Sequence, residues 1–156
     1  MINKIGDITK DLEFIKKVVI DNINSSYIAE SDIHGFGLYT NICIEEKTIL
    51  CILDGQIMSW NSYDELSNYL KSKLGKYQNY IFMEWNALDS KTLLVRPFRT
   101  KYSYINHSTK PNLEIKYNPI RIETIRYIKS DEELTLNYNN EPLSDKYLDG
   151  HGKTYL

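Results

Sequence analysis

The chain has 156 residues, 42 % apolar and 26 % charged, a length and balance that suit one globular domain and exclude disordered, collagenous and disulfide-scaffold classes. Its 19 Lys and Arg against 21 Asp and Glu give a net charge of −2, which argues against a nucleic-acid binder relying on a broad basic face. Cys43 and Cys51 form no CxxC, are too few for a zinc cluster, and sit in apolar stretches that predict buried thiols. No signal peptide and no apolar run of about 18 residues stands in the sequence, so the expectation is a cytoplasmic protein without a membrane segment.

In chain order, residues 11–23 place Leu12, Ile15, Val19 and Ile23 on one helical face, with Lys16 and Lys17 opposite. That period predicts an amphipathic helix. From Tyr27 the texture changes to short β-prone runs at 27–29, 37–39 and 48–53, divided by turn residues at 31–35 and at Asp54-Gly55. Residues 62–74 return to helical period, with Tyr63, Leu66, Leu70 and Leu74 on one face, Asn61 or Ser62 as cap, and Gly75 at the exit. Strand-like runs follow at 79–85 and 91–95, then near 113–117, 120–128 and 133–138. Short strands, many turns and few helices predict a mostly-β domain with peripheral helices.

Three segments carry chemistry. Residues 31–39 hold Gly35-Phe36-Gly37, in which two glycines beside one aromatic allow a close backbone approach. In Tyr104-Ile105-Asn106-His107-Ser108-Thr109-Lys110-Pro111-Asn112, polar groups follow apolar ones directly and a proline blocks regular structure. An irregular buried loop must satisfy its backbone groups internally or lend them to a ligand. The third, Asp131-Glu132-Glu133-Leu134-Thr135-Leu136-Asn137-Tyr138, is an acidic turn feeding a strand that ends on tyrosine.

In this order and spacing the three resemble the SET-domain family of protein-lysine methyltransferases. Gly35-Phe36-Gly37 matches its Gly-aromatic-Gly motif, and Asn106-His107-Ser108 with Pro111-Asn112 matches its Asn-His-Ser-x-x-Pro-Asn motif. Glu132 to Tyr138 matches Glu-Glu-Leu-Thr-x-Asp-Tyr, with Asn137 in place of Asp. The resemblance implies a mostly-β fold of several small sheets with a knot-like crossing, an N-terminal helix and one inserted helix. It divides the chain into a helical extension at 1–26, a core at 27–140 and a closing tail at 141–156. The implied activity is methyl transfer from S-adenosyl-L-methionine to the amine of a lysine in a protein or peptide, with no nucleic acid required and no metal. An inactive SET-like module that binds protein is the alternative.

The resemblance also implies roles. The backbone around His34, Phe36 and Gly37 would line the methionine end of the cofactor, the Asn106 side chain would hold its amino-acid part, and the His107 main chain would bond the adenine. Tyr138 would stand where the lysine nitrogen meets the methyl group, with Tyr80 as the channel-wall aromatic. A free lysine titrates near ~10.4, so a neutral amine at pH 7 costs about 4–5 kcal/mol. A nearby sulfonium and an apolar channel lower that cost. The sequence departs from the family pattern at Thr109, where a Cys is frequent, at Ser103, at Arg99-Thr100 and at Leu136, and it lacks the C-terminal cysteine cluster. The segment 143–156 must therefore close the site by packing, with Tyr147 as an aromatic lid over the adenine.

Overall fold

The computed structural model describes residues 10–75 and 83–150. Helix α1 (Leu12–Val18) is followed by β1 (Ser26–Glu30), β2 (Phe36–Thr40), β3 (Ile49–Ile52) and β4 (Gln56–Ser59). Then come α2 (Trp60–Leu74), β5 (Glu84–Ala87), β6 (Thr92–Arg96), a 3-10 helix (Lys101–Tyr104) and β7 (Asn106–His107). The last elements are β8 (Leu113–Lys116), β9 (Arg121–Thr124), β10 (Glu133–Leu136), a second 3-10 helix (Tyr138–Asn140) and α3 (Asp145–Asp149).

The strands form three small sheets, ordered β1-β2-β10-β7, β3-β9-β8 and β4-β6-β5. The mostly-β fold expected from the sequence is what the chain adopts. In the first sheet β10 runs antiparallel to β2, with Leu134 opposite Leu38, and parallel to β7, with Thr135 opposite Asn106 and Leu136 opposite His107. Paired on both edges, the strand is buried from its second residue on: Leu134, Thr135 and Leu136 are all buried. The main core gathers Leu38, Ile122, Ile128 and Leu134, each 0 % exposed. A smaller core of Ala87, Leu93 and Val95 packs with Met58, Trp60, Tyr63, Trp85 and Leu143.

Tertiary pairing corrects several expectations. Asp11 caps α1 by accepting from Phe14 N–H at 3.0 Å, but the helix stops at Val18 rather than Ile23. Ile20 instead pairs with the segment before the first 3-10 helix, donating its N–H to the Arg99 carbonyl at 2.9 Å and accepting from Lys101 N–H at 3.1 Å. Ile23 still reaches the core, from a bend past the helix rather than from the helix itself. Helix α2 begins at Trp60 because Ser59, not Asn61 or Ser62, is the cap: its hydroxyl accepts from Ser62 N–H at 3.1 Å. That helix is peripheral, with no fully buried residue, and Leu66 on its expected apolar face is exposed. Cys43 is exposed, contrary to expectation, because the 41–45 segment is an edge turn bridging only at Ile44. Cys51 is half-buried, which pushes its thiol up to about 11. The strand expected at 79–85 is described only from residue 83, and Tyr80 lies outside the described residues. No helix among the described residues is long and apolar enough to cross a membrane.

Two polar groups hold this frame. Glu84 faces Arg96 across β5 and β6, with Arg96 Nε 2.6 Å from Glu84 Oε2. The same carboxylate accepts from Thr100 N–H at 2.9 Å, from the Thr100 hydroxyl at 2.7 Å and from the Ser103 hydroxyl. Arg96 also donates to the Asp54 carbonyl at 2.9 Å and to Asn86 Oδ1 at 2.6 Å. A buried charge pair persists only when its remaining donors and acceptors are filled this way. The second group is Asn112, 1 % exposed. Its amide donates to the Glu133 carbonyl at 2.7 Å and its oxygen accepts from Thr135 N–H at 2.8 Å, stapling the 108–112 loop to β10.

Removing that staple orphans a buried backbone N–H. Asn112→Ala is expected to lower unfolding free energy by about 1–3 kcal/mol, measured as a shift of the urea midpoint without a change of slope. A midpoint equal to wild type would show that water replaces the amide.

Candidate functional site

The site is built around the carboxylate of Glu133, the first residue of β10. The turn after β1 closes with Ser31 N–H on the Gly35 carbonyl at 2.9 Å, and Gly35 takes φ 51° to permit it. This aims the Ser31 hydroxyl at Glu133, with its oxygen 2.8 and 2.9 Å from the two carboxylate oxygens. Tyr39 donates its phenol to the same carboxylate at 3.2 Å, and Asn106 Nδ2 donates to Oε1 at 2.8 Å. The carboxylate lies directly over Gly37. A Cβ at that position would come within 2.7 Å of Glu133 Cδ and 3.1 Å of Ser31 Cβ. The second glycine of Gly-Phe-Gly thus leaves the space that the Glu133 carboxylate occupies.

Asn106 is held by acceptors only. Besides Glu133, its Nδ2 lies 3.1 Å from Ser31 Oγ, 3.2 Å from the His34 carbonyl and 3.2 Å from the Phe36 carbonyl. A set of acceptors around one end of an amide fixes which end is nitrogen. The Asn106 Oδ1 oxygen is left with no donor among the described residues.

Tyr138 follows β10 directly. Asn137, which stands where the family pattern has Asp, caps the short 3-10 helix by accepting from Asn139 N–H at 3.1 Å, a task either residue performs. The Tyr138 hydroxyl donates to the Ile105 carbonyl, and its N–H donates to His107 Nδ1 at 3.1 Å. The two rings lie 5.3 Å apart. Burial, then the Glu141 carboxyl, hold the Tyr138 phenol well above its ordinary value. At neutral pH it is a protonated hydroxyl, fixed by one donated bond and open at its lone pairs.

These groups face a cavity of about 1370 Å³. His34, Asn106, His107 and Tyr138 line it, and so does Tyr147 from α3. The Tyr147 ring stands 5.8 Å from Trp60 and 5.2 Å from Trp85, edge-on to the latter, making a three-ring wall. Among the described residues, the buried Trp60 Nε1 in that wall has no hydrogen-bond partner. Of the residues the sequence singled out, Phe36 and Gly37 stand behind the cavity rather than on its wall: Phe36 packs against the main core, and Gly37 underlies Glu133.

The sequence reading passed over Trp60, Trp85, Tyr102 and Glu141, all cavity-lining. Glu141 is half-buried, which pushes its carboxyl up to about 7, against the pull of the Tyr102 hydroxyl 3.5 Å away. A glutamate before Pro142 reads as an exposed turn, so its one sequence signal is that it lies three residues past Tyr138. Among the described residues, no three His, Cys, Asp or Glu side chains are gathered to hold a metal ion.

A family model described as SET domain matches residues 35–139, more than half of the chain. No curated protein matches the sequence.

The packing over Gly37 generates a prediction. Gly37→Ala forces the Glu133 carboxylate off its partners and is expected to cost about 1–3 kcal/mol of stability, the usual range for overpacking a filled site. Differential scanning calorimetry checks it, and an unchanged melting temperature would mean that the carboxylate moves without loss.

Proposed function

The chain belongs to the SET-domain family, and on that premise we propose that it transfers a methyl group from S-adenosyl-L-methionine to the side-chain amine of a protein lysine. One observation carries the reading most strongly: a protonated tyrosine hydroxyl, locked by a backbone carbonyl and by His107, faces a cavity that also holds an open amide oxygen and an aromatic wall.

The residues present fit the cofactor. Asn106 Oδ1 is an open acceptor for the ammonium of its amino-acid part. The rings of Trp60, Trp85 and Tyr147 offer a flat, apolar surface for adenine, and Trp60 Nε1 is a buried donor awaiting an acceptor. When bound, S-adenosyl-L-methionine supplies an electrophilic methyl group on a sulfonium.

The chain's own work is then alignment and exclusion of water. The Tyr138 hydroxyl donates its one hydrogen bond to the Ile105 carbonyl, so its lone pairs receive an N–H of the target amine and aim the nitrogen lone pair. His107 keeps Tyr138 in place through its backbone N–H, and its Nδ1 is occupied by that bond. His107 is therefore a positioning residue, not the base. His34, with Phe36 and Gly37 behind it, holds Asn106 at the cofactor end through backbone carbonyls and the Glu133 carboxylate. Tyr147 belongs to the adenine side and Tyr80 to the lysine channel in the same proposal.

Two measurements test the reading. Calorimetry in the presence of chelator is expected to show binding of S-adenosyl-L-methionine, and single-turnover transfer of labelled methyl to lysines of candidate proteins should follow. No heat with either the cofactor or its demethylated product would overturn the proposal. In Tyr138→Phe, transfer is expected to slow by about 100-fold, while cofactor affinity stays within about twofold, because the hydroxyl acts in the transition state rather than in ground-state binding. Loss of its bond to Ile105 costs about 1 kcal/mol of stability. Turnover equal to wild type, or a loss explained by unfolding alone, would remove Tyr138 from the chemistry.

A further inference from the structure

We propose that Glu141 is the proton acceptor for the target amine: its carboxylate takes the ammonium proton inside the cavity and leaves the neutral nucleophile beside Tyr138. The inference rests on the methyl-transfer reading above, and geometry carries it.

Glu141 closes the 3-10 helix Tyr138–Asn140, donating its N–H to the Tyr138 carbonyl at 3.1 Å. With three residues per turn, side chains three apart lie on the same side of such a helix. Tyr138 and Glu141 accordingly line one cavity. The other carboxylates lining it are already engaged, Glu84 by Arg96, Thr100 and Ser103 and Asp64 by Lys146, and Glu133 behind Asn106 is held by Ser31, Tyr39 and Asn106. Glu141 has one partner, the Tyr102 hydroxyl, and no ion pair among the described residues. Lys71, Lys91 and Lys146 also line the cavity, but among the described residues none pairs with Glu141, and Lys146 is 2.7 Å from Asp64 instead. A half-buried carboxylate without a paired cation is matched by a ligand that brings one, and a lysine ammonium does.

The groups around Glu141 do not compete for that task. Burial first, and the Glu141 charge second, raise the phenols of Tyr102 on the first 3-10 helix, Tyr117 just past β8 and Tyr138, so all three stay neutral. Arg96 stacks over the Tyr102 ring at 5.7 Å, but its charge is paired with Glu84. His107 uses Nδ1 for Tyr138. Burial pushes Glu141 up to about 7 from an ordinary 4.5, which makes it a far better acceptor than an exposed carboxylate while leaving it ionised in part at neutral pH.

The step balances. An N–H bond of the ammonium breaks, the proton passes to Glu141, and the nitrogen keeps the electron pair. That pair forms the N–C bond as the C–S bond of the methyl donor breaks, with its electrons staying on sulfur and the positive charge passing to nitrogen. Glu141 then releases its proton to solvent through the cavity mouth.

The test uses the full chain. With glutamate labelled by ¹³C at the side-chain carboxyl, the Glu141 resonance, assigned by its loss in Glu141→Gln, is expected to titrate near 7. Added n-butylammonium, the probe for the lysine head, should lower that midpoint. A midpoint in the ordinary carboxylate range, or one unmoved by the probe, overturns the proposal. In single-turnover methylation of a lysine peptide taken from the labelled proteins, wild type should gain rate through pH 7 and then level off. Glu141→Gln should be about 100-fold slower at pH 7 and rise about tenfold per pH unit. Parallel profiles overturn the role of Glu141 alone, whereas a wild type that transfers no methyl at any pH overturns the methyl-transfer reading and this role with it. Tyr102→Phe removes a bond that favours the charged form, so it should move the midpoint upward. The glutamate resonance that it shifts identifies Glu141 without Glu141→Gln, so this arm stands if that variant fails to fold. If no glutamate midpoint moves upward, the proposal is overturned.

Discussion

One carboxylate ties the first sheet to the cavity wall. Glu133 accepts from the β1–β2 turn through Ser31, from β2 through Tyr39 and from β7 through Asn106. Hydrogen bonds to a charged group contribute about 1.5–3 kcal/mol each, more than the neutral bonds of the surrounding ladders. Because every atom near Asn106 Nδ2 is an acceptor, the carboxylate also decides which end of that amide is presented to a ligand. Beyond Glu133 the same strand delivers Tyr138 and Glu141. A shift of β10 would therefore move the amide, the hydroxyl and the acid together.

Three glutamates near the cavity have three different environments, and the environment, not the residue type, sets what each does. Glu84 is 3 % exposed and saturated by a guanidinium, a backbone N–H and two hydroxyls, so it is structural. Its bonds to Thr100 and Ser103 set the 3-10 helix that carries Tyr102, which in turn reaches Glu141. Glu133 is saturated by neutral donors. Glu141 has a single weakly placed hydroxyl, and burial pushes its carboxyl up. The first two groups hold the walls; the third is left with capacity to respond to what enters between them.

The parts of this architecture legible in the sequence were those whose cause is local. Short β-prone runs with turn residues between them located β1, β2, β3, β6, β8 and β10 to within a residue or two. The spacing of Asn106-His107 and of Tyr138 within fixed motifs pointed to the residues that meet at the cavity. What the sequence did not carry was set by distant partners. Helix α1 has the period to continue to Ile23, but Ile20 finds a backbone partner at Arg99 and leaves the helix. Strand β4 has no alternation of its own and exists because β6 pairs with it. Thr100 and Ser103 read as departures from a family pattern until Glu84 supplies their reason. Glu141 is indistinguishable from a solvated turn residue until the fold closes over it.

The reach of the Glu133 hub also bears on how the protein comes into being. Ser31 and Glu133 are 102 positions apart in the chain. At a synthesis rate of ~5–20 residues per second, about 5–20 s separate their emergence from the ribosome. During that interval β2 is complete but its later neighbour β10 has not been made, and Asn106 appears before the carboxylate that orients it. The hairpin of β1 and β2 must wait with one edge unpaired, the state in which strands are most open to pairing with the wrong chain. Only when β10 slides between β2 and β7 does the wall exist at all, so a nascent chain carries no half-formed version of the site.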